Sequence, residues 1–112
     1  MKKIEAIIRE EKLDDVKAAL EKIGITGLNV SEVKGRGQQK GISLQWRATA
    51  YTVDMLPKLR LDVVVKDADA EKAVKVIREN AYTGKIGDGK IFVLPVEQAI
   101  RVSTGERGED AL

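Results

Sequence analysis

Three stretches of this 112-residue chain set glycines beside fixed cations, a pairing suited to phosphate and other anions. The first is Lys34-Gly35-Arg36-Gly37-Gln38-Gln39-Lys40-Gly41. Its glycines let the backbone approach a ligand closely and expose successive N–H groups, and its Lys and Arg add charge. It is not a Walker A loop, because Gly41 rather than Ser or Thr follows Lys40; nor does a helical pattern follow, as a dinucleotide fingerprint requires. The second is Thr83-Gly84-Lys85-Ile86-Gly87-Asp88-Gly89-Lys90, more elaborate than a helix–strand link needs. Lys85 and Lys90 supply charge there, and Asp88 is placed to orient one of them or a ribose hydroxyl. The third is Arg101, followed by Ser103-Thr104-Gly105-Glu106, where a guanidinium can lean onto a phosphate. Singly, each also reads as a plain turn or a surface arginine. Brought together, within one chain or across a subunit boundary, they make a polyphosphate pocket.

The rest of the composition removes most other chemistry. There is no cysteine and no histidine, so disulfides, thiolate or imidazole metal sites and Cys- or His-based nucleophilic catalysis are excluded. No carboxylate pair or activated nucleophile stands near the glycine-rich segments, so the expectation is a binding and sensing protein, not an enzyme. Twenty Lys and Arg against 18 Asp and Glu leave a formal charge of +2. The signs are mixed except from Lys34 to Arg47, where four cations meet no acid. That local excess suits a small anion, and no nucleic-acid partner is expected. No apolar run reaches signal-peptide or membrane-spanning length, so a cytoplasmic protein without direct membrane insertion is expected.

The elements that position these segments come in two similar halves. Ile4–Ile8 reads as a strand, Lys12–Ile23 as a helix with Leu13, Val16, Ala19, Leu20 and Ile23 on one face, and Leu28–Val33 as a second strand. Gly24 ends the helix. The pattern recurs as a strand at Leu59–Val65, a helix marked by Ala70, Ala73, Val74, Ile77 and Ala81 and capped by Asp67 or Asp69, and a strand at Ile91–Leu94. An offset of about 57 residues lays Lys3–Arg9 over Arg60–Lys66 and Leu20 over Ile77. Two βαβ halves in one domain, residues 1–112, predict an α+β ferredoxin-like sandwich, with four antiparallel strands and both helices on one face. Val63-Val64-Val65 points apolar side chains both ways. The second face therefore needs a cover, either copies of the chain in a closed homo-oligomer or the chain's own tail. The insertion between the halves, Gly35 to Pro57, is long for a connection in so small a domain. With Trp46 and Tyr51 and no helical face, it reads as a functional loop, a hairpin extension, or both.

These residues resemble the PII signal-transduction proteins, trimeric sensors of nitrogen status, over nearly the whole chain. The resemblance rests on Met1–Ile8, Val33-Lys34-Gly35 with Gln39-Lys40-Gly41, Val53-Asp54 with Leu56-Pro57-Lys58, the run Thr83–Phe92, and Thr104-Gly105-Glu106. It implies a homotrimer with inward-facing sheets and ATP or ADP in the clefts between subunits. The nucleotide contacts it carries over are Gly35, Gly37, Gln38, Gly87, Asp88, Gly89, Lys90 and Arg101, with Ile7, Asn29 and Thr83 near the base or ribose. Gln39 corresponds to the residue that coordinates Mg²⁺ beside ATP, where 2-oxoglutarate binds. Lys58 pairs with that ligand's distal carboxylate, and Lys40 and Gly41 complete its site.

The same resemblance makes residues 37–55 the T-loop, which reaches into partners, and residues 101–112 the C-terminal tail. Arg47 stands where the loop-tip arginine enters the pore of an ammonium transporter. Tyr51 stands where many bacterial members are uridylylated, and Thr49 where some photosynthetic members carry a phosphorylated serine. The loop departs from the family pattern at Trp46, Ala48, Thr49 and Ala50. Ser103 stands where many members have a second arginine, and Gln38 where arginine is common, leaving fewer cations for a nucleotide. The alternative is a diverged PII paralogue that binds adenine nucleotides without a 2-oxoglutarate response, or that regulates another nitrogen-linked target such as nitrogenase. An RNA-binding module of this architecture would show paired aromatics on its central strands, and here only Phe92 lies in a predicted strand.

Overall fold

The computed structural model describes residues 1–37, 42–46, 49–53 and 55–112, with the two segments 42–46 and 49–53 described by their backbone. Its elements run β1 (Lys2–Ile8), α1 (Leu13–Lys22) after a short 3₁₀ turn, β2 (Asn29–Gly35), β3 (Ile42–Trp46), β4 (Thr49–Val53), β5 (Leu56–Val65), α2 (Asp67–Ala81) and β6 (Lys90–Pro95). The main sheet has the order β2-β5-β1-β6, and every pairing in it is antiparallel. This is the expected double βαβ sandwich. The insertion forms its own two-stranded ladder, from Ile42↔Val53 to Trp46↔Thr49, so its hairpin reading holds.

Strand alternation sorts the sheet into two faces. Ile4, Ala6 and Ile8 of β1 and Leu59, Leu61, Val63 and Val65 of β5 point into one core with Val16 and Leu20 of α1 and Ala70, Ala73, Ile77 and Ala81 of α2. The 57-residue offset has a packing basis. Ile4 and Leu61, Ala6 and Val63, Ile8 and Val65, Val16 and Ala73, and Leu20 and Ile77 are all buried. Each helix lays one stripe of side chains on the same sheet face, which is why the halves share a hydrophobic pattern.

The start of α2 differs from expectation. Lys66 is its N-cap, and no side-chain hydrogen bond caps it. Asp67 is the first helical residue, and its carboxylate lies 3.0 Å from the chain's N-terminal ammonium. The hydrogen bond and charge of that ammonium hold the Asp67 carboxyl below its ordinary pKa. Strand β1, starting at Lys2, brings the N-terminus to this spot, a tertiary contact that cap chemistry alone does not reveal.

The other sheet face is more polar than the valine run suggested. Val63 and Val65 are both buried in the core, and Val64 is only half-buried. The register sets Asn29, Asp62, Glu5 and Phe92 in one cross-strand row and Ser31, Arg60, Ile7 and Lys90 in the next. Asp62 lies 3.3 Å from Arg60 Nε and 3.9 Å from Lys3 Nζ. Ser31 Oγ, Arg60 Nε and Asp62 Oδ1 are buried without a hydrogen-bond partner among the described residues. On the same face Phe92 and Leu94 remain exposed.

Because Leu20 and Ile77 are both fully buried at equivalent places, Leu20→Ala and Ile77→Ala should cost about 2–5 kcal/mol each. Urea unfolding curves of the two variants should show similar lowered midpoints, unlike a substitution at exposed Glu71.

Candidate functional site

The site grows out of one end of β1. Its ladder with β6 ends at Ile7↔Lys90, and its ladder with β5 ends at Ile8↔Leu59. Continued one or two steps, both registers set Arg9 between Asp88 and Lys58. Arg9 Nε donates to Asp88 Oδ1 at 3.0 Å, and its Nη2 donates to the Ile86 carbonyl at 2.9 Å. The loop between α2 and β6 is thereby fastened to the strand at the centre of the sheet.

Asp88 is the hub of that loop. Its Oδ2 accepts from the backbone N–H groups of Thr83 and Gly84 at 2.8 and 2.9 Å. Its Oδ1 accepts from the Thr83 hydroxyl as well as from Arg9. A carboxylate has about four acceptor positions, so these four donors occupy its capacity. Burial works against the charged carboxyl, but the bonds from the Thr83 side chain and backbone, Arg9 and Gly84 outweigh it and hold its pKa well below the usual range. Thr83 lies behind the loop, where its hydroxyl also accepts from Lys85 N–H at 3.2 Å.

The glycines flanking Asp88 are conformational requirements. Gly87 and Gly89 have φ of 102° and 103°, in the left-handed region that side chains avoid. A Cβ on Gly89 would stand 1.7 Å from the Ile7 carbonyl oxygen. The loop therefore passes β1 at a distance only glycine permits.

On the other side, β2 ends at Gly35, opposite Leu56, and Val33 pairs with Lys58. This register carries Gly35-Arg36-Gly37 to the same end of the sheet. A cavity of 370 Å³ opens between the two segments on the uncovered face. Gly35, Arg36 and Gly37 form one wall and residues 85–90 the other, with Lys58 between them and Ile7 and Phe92 supplying apolar surface. Lys58 Nζ donates to the Gly87 carbonyl at 2.5 Å. Burial lowers the Lys58 pKa, the nearby Arg9 lowers it further, and Glu11 and Asp88 oppose the shift. Arg36, Lys58, Lys85 and Lys90 face the cavity, whereas Asp88, the one carboxylate among the described lining residues, is already bonded. The volume and apolar base suit a small molecule, and the positive charge suits a phosphorylated one or an organic acid.

Of the residues singled out in the sequence, Ile7, Gly35, Gly37, Lys58, Gly87, Asp88, Gly89 and Lys90 line this one cavity. Asn29 lies at the opposite end of β2, across from Asp62, and is not part of the lining. Arg101 is also elsewhere, bonded within the tail to Glu106 and to the carbonyls of Asp110 and Leu112. The third anion segment therefore does not converge with the other two inside a single chain. Gln38, Gln39, Lys40, Gly41 and Arg47 lie outside the described residues. Thr49 and Tyr51 sit in β4, opposite Trp46 and Leu44. Sequence reasoning missed Arg9 and Phe92. Phe92 was visible as a strand residue and as the end of the Thr83–Phe92 run but not as cavity lining, and Arg9 becomes meaningful only through the β1 register.

Two outcomes follow from the loop. Asp88 has a depressed folded pKa, so its stabilising contribution is complete above its unfolded pKa, about 4, and is lost as pH falls below that value. Asp88→Asn should cost about 2 kcal/mol near neutrality and flatten the acid limb of the stability–pH profile, followed by urea unfolding from pH 6 downward. Gly89→Ala must separate the loop from Ile7. Calorimetry should show its anion binding abolished, while Gly27→Ala, with open space around its Cβ position and no place in the cavity lining, retains binding.

Comparison with known proteins places this arrangement in context. Residues 1–106 match the family described as "Nitrogen regulatory protein P-II". All 112 residues align with "Nitrogen regulatory protein P-II" from Azospirillum brasilense at 54% identity, covering 100% of both chains. The Cereibacter sphaeroides protein of the same name is 58% identical, again over 100% of both chains. "Nitrogen regulatory protein P-II 1" from Methanothermobacter thermautotrophicus is 57% identical over 100% of this chain and 97% of its own.

Proposed function

Because this chain belongs to the P-II family of nitrogen regulatory proteins, we propose that it senses adenine nucleotide together with 2-oxoglutarate and signals through residues 37–55 to a nitrogen-metabolism target. The observation that carries this reading is the convergence of both glycine-rich segments and Lys58 on one cationic cavity. Gly35, Gly37, Gly87 and Gly89 let the backbone approach the phosphates of ATP or ADP, and Arg36, Lys85 and Lys90 balance their charge. Ile7 and Phe92 give the base apolar surface. Asp88 and Thr83 act by holding the loop, since the Asp88 carboxylate is already saturated.

The effector reading uses Lys58 and the segment Gln39-Lys40-Gly41. Lys58 provides a cation for the distal carboxylate of 2-oxoglutarate. Gln39 would hold Mg²⁺ through its side-chain oxygen, and the ion would supply positive charge to the nucleotide and the keto acid. The protein's own contribution is to bind and position these ligands; among the described residues the cavity lining holds no nucleophile–base pair, and the output of this reading is a change in the loop. Arg47 at the loop tip is suited to an ammonium transporter's pore, and Thr49 and Tyr51 are the loop's contact or modification positions. Among the described residues no helix is long and apolar enough to cross a membrane, which fits a cytoplasmic protein reaching a membrane through such a partner.

The unit proposed is a homotrimer. Ser31 Oγ, Arg60 Nε and Asp62 Oδ1, buried without a hydrogen bond among the described residues, together with exposed Phe92 and Leu94, leave a face that a second copy can complete. Assembly also gives Arg101 a role that its own chain's cavity does not: the tail of one subunit supplies it to the nucleotide of another. Asn29 reaches a ligand by the same route.

A calorimetric titration of 2-oxoglutarate in Mg-ATP and in Mg-ADP tests the reading. Binding is expected only with Mg-ATP, and Gln39→Ala should lose it while retaining nucleotide. Confirmed nucleotide binding with no 2-oxoglutarate response in either solution replaces this reading with a diverged adaptor.

A further inference from the structure

The tail makes an internal structure centred on the arginine that the proposed site needs. Arg101 N–H donates to the Glu106 carbonyl at 2.9 Å, Gly105 N–H donates to the Arg101 carbonyl at 2.7 Å, and Ile100 and Arg107 form a β-bridge. The Arg101 side chain turns back into this fold. Its Nη1 donates to Glu106 Oε1 at 3.2 Å, and its Nη2 donates to the carbonyls of Asp110 and Leu112 at 3.4 and 3.2 Å. The Thr104 hydroxyl donates to the same Glu106 oxygen at 2.8 Å and accepts from Glu106 N–H at 3.3 Å. Glu106 is thus held in place by a second residue, ready for the guanidinium.

We infer that Glu106 is a positioning residue that competes with bound phosphate for Arg101 and thereby sets the strength of nucleotide binding. This rests on the proposed nucleotide site and on Arg101 serving the cavity of a neighbouring subunit. Without ligand, the Glu106 carboxylate neutralises Arg101 and keeps it in the tail. A nucleotide phosphate presents several charged acceptors, whereas the pair seen here is a single long contact between half-exposed side chains. Exposed pairs of this kind are weak enough to exchange. Thr104 keeps Glu106 on the tail when Arg101 leaves, so the release is reversible. Ser103 sharpens the effect, because the neighbouring position supplies no second cation to mask the loss of Arg101.

The test is a double-mutant cycle on the intact protein, with Mg-ATP and Mg-ADP affinities measured by calorimetry for the unmodified protein, Glu106→Gln, Arg101→Ala and the double variant. Removing the competing carboxylate should tighten Mg-ATP binding about two- to five-fold, the range expected for an exposed pair. Adding Glu106→Gln to Arg101→Ala should change nothing, and Glu106→Asp should stay close to the unmodified protein. A purely structural role for Glu106 would instead weaken binding in both backgrounds, which overturns the inference. If Arg101→Ala weakens binding but Glu106→Gln leaves it unchanged, the competition is refuted while the nucleotide reading survives. If Arg101→Ala has no effect on a protein that binds Mg-ATP, Arg101 is not a nucleotide ligand and the inference falls with that assignment. If the unmodified protein binds neither nucleotide, the proposed function itself has failed.

Discussion

The carboxylate of Asp88 is the contact on which the candidate site depends. It ties together the segment just past α2, the loop before β6 and the residue that follows β1, through Thr83, Gly84 and Arg9. Each donor faces a charged acceptor in a partly desolvated setting, where such bonds are stronger than neutral ones. The Arg9 fork adds a hold on the Ile86 carbonyl, and Lys58 adds one on the Gly87 carbonyl. A loop containing Gly84, Gly87 and Gly89 has high backbone freedom when unfolded, and this set of bonds selects one conformation from it. The cavity wall is therefore built before any ligand arrives, which reduces the ordering cost of binding.

Charge and shape in the cavity have separate origins. Its cations come from three places in the chain: Arg36 after β2, Lys58 in β5, and Lys85 and Lys90 around the loop. Gathering four like charges is unfavourable, and Lys58, whose pKa is lowered by its burial and then by the nearby Arg9, sits among them. An incoming polyanion relieves the repulsion. Its apolar base has a simpler cause, since Ile7 and Phe92 occupy the side of the sheet opposite the helices. The same face continues into the Lys3–Asp62–Arg60 cluster. The cavity and the polar cluster thus share one uncovered face of the sheet.

Much of the fold was legible because its signals are local. The helical spacing from Leu13 to Ile23 and from Ala70 to Ala81, the apolar alternation of β1 and β5, and the repeat that pairs Leu20 with Ile77 all survive in the folded protein. The failures were non-local. Asp67 looked like a cap, yet it meets the chain's N-terminus. The valine run suggested a two-faced apolar sheet, but Arg60 and Asp62 of the same strand, with Lys3 and Glu5 of neighbouring β1, make the open face polar. Asp88, read as orienting a lysine or a ribose hydroxyl, lines the cavity and accepts from Thr83, Gly84 and Arg9. Arg9 gave no sign of its importance, because only the strand register brings it to Asp88, 79 positions along the chain.

The sequence by itself determined which side chains were available: glycines beside lysines and arginines, with no cysteine or histidine. It also determined the two βαβ halves, since residue type and spacing dictate the period of burial within one element. Only the tertiary structure decided which anion segments share a cavity. Gly35–Gly37 and Gly87–Lys90 meet, while Arg101 turns into its own tail. The physical reason is register: hydrogen-bond ladders between distant strands align residues to within one position, and a one-residue slip would send each side chain to the opposite face.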